Sequence, residues 1–393
     1  VAALLGCALR YLWISEVGGL SYRYLLHAHS HLALLGWGFV LVSGGLLTML
    51  PAGRTDRLPY RWVLRLSIVA AIGMTVAFAL QGYGLFSIAF STVHLLGAYL
   101  FARCFLRDLR QLPPTTERRL AYWAVWWMVV STLGLFAIAP VAATLGKLHP
   151  MYHASIQFFL HFQFNGWLTF GTLALLLHWL RSRGWPIAFP PVLFAGLQVS
   201  LLLTYALSVS WSTPLTVVFL LNTVGVLLQL AVFTGIGKRL VAAIRRLRLR
   251  SSYLVGLLWV GLGSLLAKIA IQSVVAVPML AEVALAVRNF VIGFIHLTVL
   301  GSVSLTIIAL LIATGHLPDT RPALLGYGLL TAAFLTTEVL LFGQGLLLWL
   351  GLGYQPFYYE SLFASSLLFP LGLGCILLAL SEPSHSSIPS AIK

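Results

Sequence analysis

Stretches of roughly 20 consecutive apolar residues, the length a helix needs to cross a bilayer, follow one another along almost the whole chain. They lie at about 1–16, 25–50, 62–81, 85–106, 120–145, 153–179, 187–208, 214–237, 252–278, 290–313, 323–349 and 361–381, the first being short and carrying Arg10. A backbone in hydrocarbon must satisfy its own hydrogen bonds, so each stretch is expected to be a helix. Of 393 residues, 60% are hydrophobic and 8% charged, against about 25% charged in a soluble domain. The expectation is an all-α polytopic membrane protein, about 12 transmembrane helices in one bundle, forming a single domain over residues 1–393. The bilayer is the first partner this implies. No repeat at a fixed period is visible, and Cys7, Cys104 and Cys375 lie apart in apolar surroundings, as helix-packing residues do.

The formal net charge of +15 is not a nucleic-acid signature, because of where it sits. Seventeen of the 24 Lys and Arg fall between Arg54 and Arg65, between Arg103 and Arg119, at Arg181 and Arg183, and between Lys238 and Arg250. These clusters follow the second, fourth, sixth and eighth spans, while the loops near Tyr83, Ser210 and Tyr354 carry no Lys or Arg. Cytoplasmic loops collect positive charge, so both termini are expected in the cytoplasm. Tyr22, Tyr24, Tyr83, Trp211, Tyr354, Tyr358 and Tyr359 suit an outer aromatic belt.

Within that topology the histidines sort by depth. Histidine is costly in hydrocarbon without a hydrogen-bond or metal partner, yet His27, His29 and His31 open the second span within five residues. His94, His149, His153, His161 and His296 fall in the same outer layer, whereas His178, His316 and His385 fall at the cytoplasmic side. His153, Gln157, His161, Asn165 and Thr169 recur every four residues in the sixth span, a polar stripe that must point into the bundle. Neutral imidazoles suit copper or iron, and the scarcity of carboxylates argues against calcium or magnesium. The metal candidates are His161, His153, His94 and His27. A single inward histidine can instead hold a haem axially, with its second ligand from another helix. His29 or His31 with His296 is the candidate pair, and Arg23 and Arg288 are placed to meet propionates. Lys268 and Glu338 lie in mid-span as a proton path or an ion pair. Helix–helix hydrogen bonding is the plainer reading of the stripe and of His296.

Two resemblances follow from these residues. His29 with Gly44-Gly45 and Pro51, Phe294-Ile295-His296-Leu297-Thr298, and His161-Phe162-Gln163-Phe164-Asn165-Gly166-Trp167 resemble helices 2, 10 and 6 of the haem–copper oxidase superfamily: cytochrome oxidase subunit I, the nitric oxide reductase large subunit and relatives. His27-Ala28-His29 through Leu46-Leu47-Thr48-Met49-Leu50-Pro51, with His296-Leu297-Thr298, Gly301 and Gly315-His316, is similar to the NnrS-type haem- and copper-containing membrane proteins. The resemblance implies one or two haem b groups, copper or non-haem iron, an electron donor or accessory membrane subunits, and a bacterial-type inner membrane. It also implies electron transfer with binding or reduction of oxygen or nitric oxide. Two departures matter. Phe294 stands where a high-spin haem ligand is expected, and residues 187–208 contain no histidine. A histidine-lined transporter or metal permease, and a non-catalytic haem subunit or sensor, are the alternative readings.

Overall fold

A computed structural model describes residues 1–381 apart from residues 52, 56, 211 and 248–251. Trp211, Arg248, Arg250 and His385 therefore lie outside the described residues, which form helices and connections without a strand. Twelve helical runs follow one another. They are α1 (Ala2–Tyr11), α2 (Tyr22–Leu47), α3 (Leu58–Gln81), α4 (Leu85–Leu109), α5 (Thr116–Thr144) and α6 (150–182). After these come α7 (Pro191–Ser210), α8 (Thr216–Arg246), α9 (Ser252–Val274), α10 (Arg288–Ala313), α11 (Arg321–Trp349) and α12 (Tyr358–Ser381). A short helix, Pro278–Ala286, links α9 to α10, with its proline in the first turn, where no backbone donor is lost.

Ten of these, α2 to α5 and α7 to α12, are long and apolar enough to cross a membrane. α6 is a continuous run of comparable length with the polar stripe on it. It is almost wholly buried from His161 to Leu180, so it meets protein where an outer helix would meet lipid. α10 is the most enclosed of the apolar ten, and α3, α4, α8 and α12 leave about two thirds of their surface positions outward. α1 departs from the expected span over 1–16. Its 10 residues rise only about 15 Å, half of a hydrocarbon core, before the chain turns through Trp13 and Gly19.

One buried apolar cluster extends from Phe39 to Ala379 and joins α2, α6, α9 and α10 in the middle of the bundle. Polar contacts close the two ends. At the basic end the buried Asp108 side chain faces Arg54, Arg57 and Arg107 at 3.4–3.6 Å and accepts from Tyr60 Oη at 3.0 Å. Glu117 pairs with Arg181 across α5 and α6. At the other end Trp13 stacks on Tyr359 and meets the edge of Tyr22, bringing the ends of α1, α2 and α12 together.

Candidate functional site

Three helices change their winding immediately after a histidine. Leu32–Gly38 follows His31, Phe162–Leu168 follows His161, and Leu297–Leu305 follows His296, and each of these segments is π-helical. They occupy α2, α6 and α10, every fourth run. Each carries a glycine five residues after its histidine: Gly36, Gly166 and Gly301. The local pattern His-x4-Gly thus recurs three times, although no repeat is evident from the sequence as a whole. The glycines allow close helix contact. A Cβ on Gly166 would lie 2.5 Å from Trp127 Cβ, and one on Gly301 would lie 2.4 Å from Phe334 Cζ and 2.5 Å from Ser264 Oγ.

The π segments also explain the polar stripe. Residues spaced by four drift about 40° per step around an α-helix, which would carry Thr169 far from His153. A π-helix bonds i to i+5 and has more residues per turn, so the drift reverses below His161 and His161, Asn165 and Thr169 stay on one side. Thr169 Oγ1 donates to Phe164 O at 2.8 Å, and Ser304 Oγ donates to Val299 O at 2.7 Å, both five residues back. Trp37 Nε1 donates to the same Ser304 hydroxyl at 2.8 Å, which ties the π segment of α2 to that of α10.

The histidines separate into distinct groups. His29 and His296 are electrostatic neighbours, and Arg10 is a neighbour of both. His29 Nδ1 lies 2.9 Å from Ala2 O. A carbonyl can only accept, so Nδ1 carries the proton and Nε2 keeps its lone pair. Gly6 of α1 lies against this ring, its would-be Cβ 3.2 Å from Cε1. His296 Nδ1 is buried with no partner, as are both carboxylate oxygens of Glu338, whose charged neighbour is Arg10. Arg10 itself donates to Ser366 Oγ and Leu362 O on α12.

A second group holds His27, His31 and His94 around Phe78, Tyr83 and Phe39. His31 Nδ1 meets His27 O at 2.9 Å and its Nε2 meets Tyr83 Oη at 3.2 Å, so both nitrogens are engaged. Its ring lies on Phe78, with centroids 4.1 Å apart. His94 is an electrostatic neighbour of His31 and meets Phe39 edge-on at 4.9 Å. His27 Nε2 and His94 Nδ1 have no hydrogen-bond partner. His149 caps α6 by accepting from Met151 N, and His153 lies beside Tyr152.

His161 belongs to a third group. Its Nε2 lies 2.8 Å from Leu201 O, and its Nδ1 faces Asn165 Nδ2 at 3.3 Å. Asn165 Oδ1 accepts from Lys268 Nζ at 2.6 Å. In this arrangement neither ring nitrogen offers a lone pair to a metal. The four candidate metal ligands His161, His153, His94 and His27 are not drawn into one site. Among the described residues no three His, Cys, Asp or Glu side chains gather closely enough to hold an ion. Lys268 and Glu338 are likewise not paired with each other. Lys268 bonds Asn165, and Glu338 stands beside Arg10. Arg288 donates to Tyr22 Oη at 3.2 Å, and Arg23 is exposed near His27.

Sequence reasoning undervalued Arg10, Asn165 and Trp37. Arg10 had a visible signal, a charge inside an apolar stretch. Asn165 and Trp37 act through partners more than 100 residues away, which spacing along one helix does not reveal. Comparison of the chain with known protein families and with characterised proteins finds no match.

Proposed function

We propose that this is a haem-binding integral membrane protein, its twelve helical runs set with the basic loops and both termini in the cytoplasm, and that His29 and His296 would hold one haem b. The observation that carries the reading is that His29 on α2 and His296 on α10 are electrostatic neighbours, on two helices that Trp37 and Ser304 tie together. The residues fit the group. Ligating histidines characteristically donate their other ring nitrogen to a carbonyl or carboxylate, which fixes tautomer and orientation. Ala2 O does this for His29, and Nδ1 of His296 is buried with no hydrogen-bond partner, a polar atom left free for a ligand. His31, with both nitrogens engaged on the far side of α2, is the poorer choice.

Bis-histidine haem supplies reversible one-electron transfer. The chain's own residues set its surroundings. Gly6 gives α1 room to lie on the His29 ring, Arg10 places a positive charge beside both histidines, and Glu338 offers two free acceptor oxygens nearby. Arg288, anchored on Tyr22 at the same end of the bundle, is the candidate for an anionic substituent at the outer surface. The engaged nitrogens of His161 favour a haem that transfers electrons over a paired haem–metal centre that reduces oxygen or nitric oxide.

The test is the visible spectrum of the purified, detergent-solubilised chain. A Soret band with low-spin bis-histidine features is expected in the wild type and in His316→Ala. It should be lost or converted to high spin in His29→Ala and His296→Ala. A colourless wild type, or an unchanged spectrum in both ligand variants, overturns the proposal. Gas consumption with an artificial reductant then separates turnover from electron transfer alone.

A further inference from the structure

Beyond the haem region, Lys268 lies deep in the bundle on α9, 1% exposed, with no carboxylate partner among the described residues. A buried ammonium in hydrocarbon needs polar partners. Asn165 Oδ1 is one. The others face a void about the size of one water molecule, lined by Thr169, Ser200 and Gln229 among apolar side chains. Thr169 and Ser200 spend their hydroxyl protons on backbone carbonyls, and Gln229 Oε1 has no partner. The void therefore offers acceptors to the Lys268 ammonium and suits a water molecule.

Hydrogen-bond polarity runs through this group in one sense. Leu201 O forces Nε2 of His161 to carry a proton. Asn165 Nδ2 donates toward His161 Nδ1, so that nitrogen is unprotonated and the ring neutral. The same amide turns its oxygen to the Lys268 ammonium. An asparagine has one acceptor atom and one donor group on its two sides. If Lys268 and His161 were both charged, each would point a donor at Asn165, and one of them would face the amide N–H.

We propose that Lys268 and His161 form a binding site for a single proton, with the amide orientation of Asn165 matched to whichever of the two holds it. With the His161 ring neutral, the form proposed for this arrangement has the proton on Lys268. In the alternative form the same single proton has left Lys268 Nζ, now a neutral amine, and is held at His161 Nδ1, so the net charge of the group is unchanged. Asn165 then rotates by half a turn, Nδ2 donating to the neutral amine and Oδ1 accepting from Nδ1–H. Among the described residues no carboxylate is paired with either group. α7 brings Tyr205, whose ring is 5.7 Å from that of His161 and whose hydroxyl is committed to Ala154 O. α8 brings Gln229 and Phe233, and α10 brings the ring of Phe294, 5.8 Å from Nζ. The site does not depend on haem.

Nitrogen-15 NMR of the full chain in detergent micelles tests this, because only Lys147, Lys238, Lys268 and Lys393 supply lysine signals. His161 is assigned by its loss in His161→Gln. Across pH the wild type should never show a charged His161 together with a charged Lys268. Lys268→Arg, a cation that does not deprotonate, should hold His161 neutral across the same pH range. Lys268→Met should let His161 Nδ1 gain a proton where the wild type shows a neutral ring. Asn165→Leu should let the two groups titrate independently. Elution volume and helical circular dichroism establish that each variant is folded. If Lys268→Met does not fold, the wild type and Lys268→Arg still decide. Simultaneous charging of both groups in the wild type overturns the proposal, as does a His161 titration that is the same in Lys268→Arg and wild type.

Discussion

A missing side chain can constrain this bundle as much as a charged one. Gly301 sits where the π segment of α10 meets Ser264 and Phe334, and a Cβ there would lie 2.4 Å from the phenyl ring. Gly44, on the same helix as the histidine triplet, has nothing within 4 Å of its would-be Cβ. Gly301→Ala should therefore destabilise the protein by about 1–3 kcal/mol through overpacking, whereas Gly44→Ala should be close to neutral. Heat-induced loss of the monodisperse elution peak in detergent checks both. Equal melting midpoints in the two variants would show that α10 can shift to make room. The same logic separates histidines of equal sequence prominence. His29 and His31 are two positions apart, yet one has only Nδ1 engaged, on Ala2 O, with His296 as an electrostatic neighbour, and the other has both nitrogens engaged by His27 and Tyr83.

At the scale of elements, the helices are joined by a few polar contacts inside a largely apolar contact surface. In lipid, apolar faces have no hydrophobic drive toward each other, so packing and polar bonds decide which helices meet. Asp108 is the densest such point. One buried carboxylate receives Tyr60 from α3 and faces arginines from the connection after α2 and from α4. Asp108→Asn keeps the shape but removes the charge those arginines share. Hydrogen bonds to charged groups contribute about 1.5–3 kcal/mol, and the half-exposed arginines reduce this through solvent screening. A loss of about 1–2 kcal/mol is expected, with a lower melting midpoint whose difference from wild type narrows as salt rises. A salt-independent difference would mean that Tyr60 alone carries the effect.

For the whole molecule, the proposed orientation puts the Asp108 end in the cytoplasm and the Trp13–Tyr359 end outside. In a background lacking the three native cysteines, Gln111→Cys should react with a membrane-impermeant maleimide only after permeabilisation. Gly351→Cys, in the connection before α12, should react in intact cells. The reverse pattern would invert the topology and put the histidine pair on the cytoplasmic side. Much of this scale was legible along the chain. Apolar length places the long helices, and the arginine clusters predict which ends lie together. α1 is the exception at this scale: Arg10 and the glycines after it cut the expected span to 10 residues.

By itself, the sequence determined that the chain is a membrane-compatible helical bundle, because residue length and hydropathy are local properties that the bilayer constrains directly. It also led to the expectation that four helices, α2, α4, α6 and α10, carry histidines in one layer. Only the tertiary structure decided which of those histidines meet. Facing depends on helix rotation, and the π segments after His31, His161 and His296 alter that rotation in a way an α-helical period does not anticipate. Folding also gives the imidazoles different surroundings: a pair with Arg10 as electrostatic neighbour, an aromatic nest around Tyr83, and a hydrogen-bonded group in which Asn165 stands between His161 and Lys268.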